Sequence, residues 1–176
     1  MDLRIEKTKR AITNTFLELR SKKPLERITI RELCEKAMIN KSTFYSHYRD
    51  IYDLSDALET EVVASVISFI QHPEKAFEEP SVFTRELFLG YLSMDTLIQT
   101  LFSGTRSGEL VRKTELHLKK LFFSSHPEYE EDAMKNILLT YHIYGGYYAF
   151  SKNRKYGEEH TIAAIGQIAD ESLKLL

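Results

Sequence analysis

The sequence contains few of the residues that cross-link a chain or interrupt its regular structure. Its 176 residues include seven glycines, four prolines and a single cysteine, Cys34. One cysteine rules out an intramolecular disulfide and fits the reducing conditions of the cytoplasm. Because glycine and proline are scarce, we expect long periodic segments with little irregular structure. A chain of this length can bury a sizeable core without disulfides or structural metals.

Long apolar runs are also missing. No stretch approaches the roughly 18 consecutive apolar residues that a membrane span requires, so we expect no membrane segment. Near the amino terminus, charged residues such as Asp2, Arg4 and Glu6 interrupt any apolar run, which argues against a secretory signal peptide. These features together predict a cytoplasmic protein.

The patterns of catalytic and metal-binding sites are missing as well. The six histidines show neither HExxH nor another metal-ligand spacing, and Cys34 has no second thiol with which to bind zinc. The segment SGTRSGE (103–109) has the composition of a phosphate-binding loop but lacks its Gly-Lys-Ser/Thr ending. We therefore predict no enzyme activity, no metal site and no cofactor, although catalytic triads seldom show in a sequence.

Charge is distributed unevenly along the chain. The net charge is -2, but residues 1–50 hold 12 lysines and arginines against 7 aspartates and glutamates, a net of +5. Residues 51–176 hold 12 basic and 19 acidic residues, a net of -7. A basic amino-terminal part on an acidic body suggests that the first fifty residues face a polyanion. The alternative is ordinary variation, since short helical segments often differ by a few charges.

The first fifty residues are predicted to form three helices. The first, residues 4–22, has an inner face whose residues recur at steps of three and four: Ile5, Thr8, Ile12, Phe16 and Leu19. Thr29 is placed to cap the second helix, with Glu32 completing a capping box. That helix ends near Met38, and Asn40 caps a third only two or three residues later. Two short helices joined by so tight a turn must cross at a steep angle, which is the helix-turn-helix arrangement.

The rest of the chain is predicted to be helical too. A long fourth helix should run from Asp50 to about Gln71, and Pro73 and Pro80 mark the connector after it. No segment shows sustained two-residue alternation, so we expect no sheet. The ranges predicted for the later helices are 81–102, 107–124, 128–154 and 159–175. The fold class is therefore all-α, divided into residues 1–50 and residues 51–176.

The segment ITIRELCEKAMINKSTFYSHYRDIYDL (28–54) resembles the DNA-binding segment of TetR-family bacterial transcription regulators. The shared pattern is a Thr-capped helix, an Ala-containing turn, a lysine with small hydroxyls opening the next helix, and an aromatic-Tyr-x-x-aromatic run. The resemblance covers residues 4–60; the remainder matches only in length and helical character. Two positions depart from the pattern, because Met38 replaces the usual turn glycine and Ile51 replaces a phosphate-binding lysine. Tyr52 or Arg49 could substitute for that lysine.

The resemblance implies an amino-terminal three-helix helix-turn-helix domain, joined by a long helix to a helical ligand-binding and dimerisation domain. It implies a homodimer that binds a palindromic operator in double-stranded DNA, and a repressor that an unknown small-molecule effector releases. The alternative is a coregulator of the same fold, whose degenerate DNA head acts through protein contacts; Met38 and Ile51 motivate it.

The candidate DNA contacts centre on the third helix. Lys41 supplies charge, while the hydroxyls of this segment can bind phosphates or base edges. His47 is as well explained by packing as by contact with the DNA backbone, and Tyr48 is expected in the core with its hydroxyl at the rim. The candidate DNA-binding residues are Thr29, Lys41, Ser42, Thr43, Tyr45, His47, Tyr48, Arg49 and Tyr52.

Two further sets of candidate residues lie in the second domain. Aromatic residues at helical spacing form a core more often than a ligand pocket, and an apolar stripe can serve the monomer core as well as a dimer. With those alternatives open, the candidate ligand-binding residues are Phe88, Tyr91, Phe102, Phe122, Tyr141 and Tyr144. The candidate dimer-interface residues are Ile162, Ile165, Gly166, Ala169 and Leu173, in a stripe that continues to Leu176, together with Tyr148. Tyr148 belongs to a second apolar face that could supply the partner helix of a four-helix interface, formed by Met134, Ile137, Leu138, Tyr141, Gly145 and Tyr148.

Overall fold

The computed structural model describes residues 3–175, apart from the side chain of Ser125, and in this range the chain forms α-helices and short 3-10 turns with no strand. The all-α class predicted from periodicity is therefore confirmed. None of the helices within residues 3–175 combines the length and the apolar character needed to cross a membrane. The α-helices of this range are α1 (Leu3–Arg20), α2 (Ile30–Ala37), α3 (Lys41–Tyr45), α4 (Ile51–Ile67), α5 (Pro80–Ser93), α6 (Asp95–Leu101), α7 (Glu109–Ser125), α8 (Ala133–Asn153) and α9 (Glu158–Ser172).

The chain divides into two compact units. The first unit comprises residues 1–62 and 96–107, and the second comprises residues 63–95 and 108–176. These units differ from the predicted division at residue 50, because the segment 96–107 packs with the amino-terminal helices. The buried Arg20 guanidinium donates hydrogen bonds to the Leu101 carbonyl at 3.0 Å and to the Ser103 hydroxyl at 2.9 Å. Thr105 donates a further hydrogen bond to the Glu26 carboxylate.

The core of the first unit is built from the apolar faces of its helices. On α1, Ile12 and Phe16 are fully buried, whereas Ile5 is half exposed, so the predicted inner face begins one turn later than the sequence pattern suggests. On α2, Leu33 is fully buried and Cys34 nearly so. Burial raises the pKa of the Cys34 thiol, which is consistent with a packing role for this side chain.

In the second unit, α5 lies close to two other helices at positions without side chains. A Cβ on Gly90 would lie 2.3 Å from the Val66 carbonyl oxygen of α4. A Cβ on Gly166 of α9 would lie 3.0 Å from Cα of Ser81 on α5. Both contacts let backbones approach more closely than any larger residue would allow. The apolar core beside these helices contains Phe83, Val111, Leu118, Phe122, Leu139 and Ile143.

The predicted helix at 81–102 is wrong, because it is two helices that meet at Met94. The Ser93 hydroxyl donates to the Gly90 carbonyl at 2.7 Å and competes with the helical hydrogen-bond ladder just before the break. The fourth helix also ends earlier than predicted, at Ile67, and the Glu86 carboxylate accepts hydrogen bonds from the backbone N–H groups of Gln71 and His72.

Candidate nucleic-acid interface and ligand cavity

A left-handed turn connects α2 to α3. Met38 takes φ 53 and ψ 43, and its backbone N–H donates to the carbonyls of Cys34 and Glu35. Its side chain is 92% exposed, so packing does not compensate the strain that a non-glycine residue bears in this conformation. The turn thus keeps the geometry that the sequence pattern assigns to glycine.

Side-chain caps fix the beginning of both helices. The Thr29 hydroxyl accepts a hydrogen bond from the Glu32 backbone N–H, so its predicted capping role is confirmed. The Glu32 carboxylate forms an ion pair with Lys23. The predicted Asn40 cap is also confirmed: its Oδ1 accepts from the Thr43 backbone N–H at 2.8 Å.

The outward side of α3 carries Lys41, Ser42, Thr43 and Tyr45, which we call the α3 surface. Lys41 and Ser42 are exposed, Thr43 is half-buried and Tyr45 is 56% exposed. The hydroxyls of Ser42 and Thr43 both donate to Oδ1 of Asn40 at 2.7 Å. With their protons committed to Asn40, these hydroxyls present oxygen lone pairs to the solvent.

The opposite side of α3 is anchored in the core. Phe44 is fully buried, and its ring centroid lies 5.7 Å from that of Tyr45 in an edge-to-face arrangement. Tyr48 packs at 6.0 Å from Phe44 and is only 6% exposed. Because these aromatic contacts hold the short helix in place, the α3 surface has a defined orientation on the first unit.

Lys41 differs from the basic residues around it. Lys36 pairs with Glu18 at 3.1 Å and Arg31 with Glu35 at 2.8 Å. Among residues 3–175, no acidic side chain forms an ion pair with Lys41. The positive charge of Lys41 is therefore available to an external anion.

The other candidate contacts near α3 differ in how exposed they are and in whether they are paired. The Arg49 guanidinium bonds Asp53 Oδ1 through Nε at 3.1 Å and Nη2 at 2.7 Å, which raises the pKa of Arg49 and lowers that of Asp53. Tyr52 is exposed, and His47 is half-buried with its ring 6.3 Å from that of Tyr48. Ile51 is buried, so this side chain belongs to the core.

Tyr48 is buried more completely than a residue at the rim of the core would be. Its hydroxyl oxygen is enclosed, and burial raises the pKa of the phenol. Contact with DNA would require this side chain to leave its packed position, whereas Tyr45 reaches solvent without rearrangement.

The charge of the first unit is smaller than that of the first fifty residues. The segments 1–62 and 96–107 hold 13 basic and 11 acidic residues, a net of +2. The reduction from +5 comes from the acidic residues of α4, among them Asp53 and Asp56. The unpaired charge of Lys41 is thus a better indication of an anion-binding surface than the net charge of the whole unit.

A cavity of about 80 Å³ lies inside the second unit. Two of the candidate ligand-binding residues, Phe88 and Tyr91, line it. Phe122 lies in the adjoining core, where its ring is 5.4 Å from that of the cavity-lining Phe83. The cavity wall also includes Thr84, Thr114, Leu138, His142, Gly146, Tyr147, Ile165 and Leu173.

The other three candidate ligand-binding residues lie elsewhere. Phe102 is buried within the first unit, and Tyr141 is 64% exposed. Tyr144 is half-buried, and burial together with the nearby Glu115 carboxylate raises the pKa of its phenol. His142 lines the cavity but was not among the candidates. The signal that could have found it is its spacing of four residues from both Leu138 and Gly146, which puts all three on one helical face.

The candidate dimer-interface residues are mostly enclosed within the single chain. Ile162, Gly166 and Ala169 are buried. Ile165 and Leu173 line the cavity, and Leu176 lies outside the described residues. Of the candidates, only Tyr148 is an exposed apolar side chain, at 47%.

The partner helix of the predicted interface, α8, carries an exposed apolar stripe. Met134, Ile137, Tyr141 and Tyr148 are spaced by three, four and seven residues, which places them on one face of the helix. Their side chains are between 45% and 64% exposed. Gly145 lies on the same face, with open space where its Cβ would be.

Among residues 3–175, no group of three or more histidine, cysteine, aspartate or glutamate side chains is arranged to hold a metal ion. Comparison of the sequence with protein-family models and with curated proteins found no match.

Proposed function

We propose that this protein is a TetR-like, sequence-specific DNA-binding transcription regulator, and that a small molecule bound in the cavity of the second unit releases it from DNA. The single observation that carries the proposal is the α3 surface. It combines an uncompensated lysine, two hydroxyls and an exposed tyrosine on a helix that Phe44 fixes in the core. The resemblance of residues 28–54 to TetR-family regulators supports the same assignment.

The hydrogen bonds at Asn40 indicate which base edges the α3 surface suits. Ser42 and Thr43 donate to Asn40 and keep their oxygen lone pairs as acceptors. In the major groove, the donors that match an acceptor are the N6 amino group of adenine and the N4 amino group of cytosine. Lys41 is suited to phosphate or to guanine, and the Tyr45 ring can contact a thymine methyl group.

A single short helix reads only a few base pairs, so we propose that the protein acts as a homodimer on a palindrome. The two recognition helices would then be about one helical turn, ~34 Å, apart. The exposed stripe on α8 is the surface we assign to self-association, in place of the buried residues of α9. Its exposed apolar side chains and open glycine position are suited to packing against a second copy.

The oligomeric state tests this assignment. Ile137→Glu introduces a charge into the middle of the stripe and should convert the dimer to a monomer in sedimentation experiments. Leu89→Glu provides the matched control, since Leu89 is similarly exposed at 47% but lies on α5. A dimer that survives Ile137→Glu but is disrupted by Leu89→Glu would refute the α8 assignment.

The test of DNA recognition is selection of bound duplexes from a randomised pool at near-physiological salt. We expect an enriched palindrome, whose affinity falls with salt by about 0.9 log units per log unit for each neutralised phosphate. A folded, dimeric sample that enriches no sequence would refute the proposal and would favour a coregulator acting through protein contacts.

Tyr45→Ala tests the site within the protein. We expect the affinity for the selected duplex to fall at least about tenfold, because Tyr45 is assigned to a base contact. Tyr156→Ala is the control, since Tyr156 is 65% exposed but lies in the second unit. Equal affinities for the two variants would remove Tyr45 from the interface.

A further inference from the structure

The cavity of the second unit has a wall without formal charges. Aspartate, glutamate, lysine and arginine are all missing from the described residues that line it. The residues with polar side chains in this wall are Thr84, Thr114, Tyr91, Tyr147 and His142. Burial raises the pKa of Tyr91 to about 12, which keeps its phenol neutral at physiological pH. A charged occupant would lose its hydration without gaining a counter-ion, and this cost excludes ions from such a site.

The size and shape of the cavity suit a small flat molecule. A volume of about 80 Å³ corresponds to roughly five to eight non-hydrogen atoms, because a buried water needs about 10–15 Å³ on the same measure. Aromatic side chains dominate one part of the wall. The ring centroids of Phe88 and Tyr91 are 6.3 Å apart and those of Tyr91 and Tyr147 are 6.4 Å apart, and both pairs are edge to face. Edges and faces at these distances favour an aromatic ring as the occupant.

The hydrogen bonds of His142 indicate which polar group an occupant of the cavity should carry. Its Nε2 lies 2.7 Å from the Ser172 hydroxyl, which itself donates to the Ala169 carbonyl at 2.7 Å. We assign the imidazole proton to Nε2, because this tautomer lets the serine donate to Ala169 and accept from His142 at the same time. Burial lowers the pKa of His142, so the ring is neutral and Nδ1 keeps its lone pair. Within residues 3–175, no group donates a hydrogen bond to Nδ1.

We propose that the cavity binds a small uncharged aromatic molecule with one hydrogen-bond donor, of the phenol type, and that Nδ1 of His142 accepts the hydrogen bond from that donor. This inference rests on the proposed function, since it names the chemical class of the effector.

The first experiment measures binding of three probes to the full-length protein by calorimetry, without DNA. Phenol and toluene have the same shape and differ in the hydroxyl, and benzylammonium adds a positive charge while staying within the size that the cavity allows. We expect phenol and toluene to bind and benzylammonium not to bind. Benzylammonium binding as tight as that of phenol, or no binding of either neutral probe, would overturn the proposed class.

The role of His142 is tested by the ratio of the phenol and toluene affinities. In His142→Phe, the phenol hydroxyl is buried without an acceptor, so we expect this ratio to fall about tenfold in favour of toluene. Thr114→Val, which removes another polar group of the wall, should leave the ratio unchanged. A ratio that falls in Thr114→Val but not in His142→Phe would show that the hydroxyl binds elsewhere.

A second measurement needs no substitution. The 15N chemical shifts of the imidazole distinguish protonated from unprotonated ring nitrogens, and in the free protein we expect Nδ1 of His142 to be unprotonated. Phenol should shift this resonance, whereas toluene should not. A protonated Nδ1 in the free protein would refute the assignment.

The outcomes separate this inference from the proposed function. If phenol binds as expected but leaves affinity for the selected duplex unchanged, the ligand class stands and the effector role fails. If phenol does not bind while the duplex does, the ligand class fails and DNA recognition stands.

Discussion

Replacing Arg106 by methionine should destabilise the first unit, because the substitution removes the bidentate partner of a fully buried carboxylate. Arg106 Nε lies 2.8 Å from Glu59 Oε1 and Nη2 lies 2.5 Å from Oε2. The Glu59 side chain is 0% exposed and that of Arg106 is 21% exposed. The Ser55 hydroxyl also donates to Glu59 Oε1 at 2.8 Å.

Breaking a buried pair from one side costs about 3–5 kcal/mol. We place Arg106→Met near the lower end, about 3 kcal/mol, because the Ser55 hydrogen bond and the nearby positive charge of Arg20 remain. With a urea dependence of about 1–3 kcal/mol/M, this corresponds to a midpoint shift of about 1–3 M. Adding Glu59→Gln should recover most of the loss, since a neutral amide is no longer a buried charge.

The assay is urea unfolding, monitored by circular dichroism. Hydrogen exchange of the α1 and α2 amides then shows whether the loss of stability lies in the first unit. Arg31→Met is the matched control, because Arg31 also pairs with a glutamate but is 78% exposed; its unfolding midpoint should stay within error of the parent. A shift for Arg106→Met no larger than that of the control would refute the reasoning. So would a double variant less stable than Arg106→Met alone.

Two further predictions concern the backbone, at Met38 and at a pair of glycines, and a third concerns the titration of His142. Met38→Gly should stabilise the protein by about 1 kcal/mol in thermal unfolding, because glycine adopts the left-handed conformation without strain; unchanged stability would contradict the strain. Gly90→Ala should destabilise by about 2 kcal/mol or more, since its Cβ would meet the Val66 carbonyl. Gly108→Ala, with open space at its Cβ and φ -82, should instead leave the stability nearly unchanged, and an equal loss for both variants would refute the comparison. The pKa of His142 is lowered in the folded state. In a profile of the free energy of unfolding against pH, the stabilisation from neutral His142 is therefore complete above about pH 6.5, and it declines as the pH falls towards the folded pKa. His142→Phe should flatten that part of the profile, and an unaltered slope would exclude His142 as its source.

The features that the sequence predicted well depend on local chemistry. Thr29 and Asn40 cap their helices because a short polar side chain needs only the backbone two or three residues ahead. The exposed positions of Lys41 and Tyr45 follow from the burial of Phe44, which fixes the rotation of α3. Periodicity over long segments likewise predicted the all-α class.

The features that the sequence did not predict depend on partners far along the chain. Arg20 bonds Ser103 across 83 positions, and periodicity carries no information about such a pairing. A periodic stripe also shows that a face is apolar without showing what covers it. Both helices predicted for the dimer interface show an apolar face in the sequence, but Gly166 on α9 packs against α5 of the same chain, whereas Ile137 and Tyr141 on α8 are exposed.

The two close contacts of α5 have a consequence for how the cavity responds to its occupant. Gly90 holds one end of this helix against Val66, and Gly166 holds Ser81, at the other end, against α9. A helix pinned at both ends resists sliding, so the wall that carries Phe88 adjusts through side-chain rotation. The cavity should therefore select its ligands sharply by size. Affinity should drop abruptly once an added substituent needs more space than the rotation of the side chains can provide.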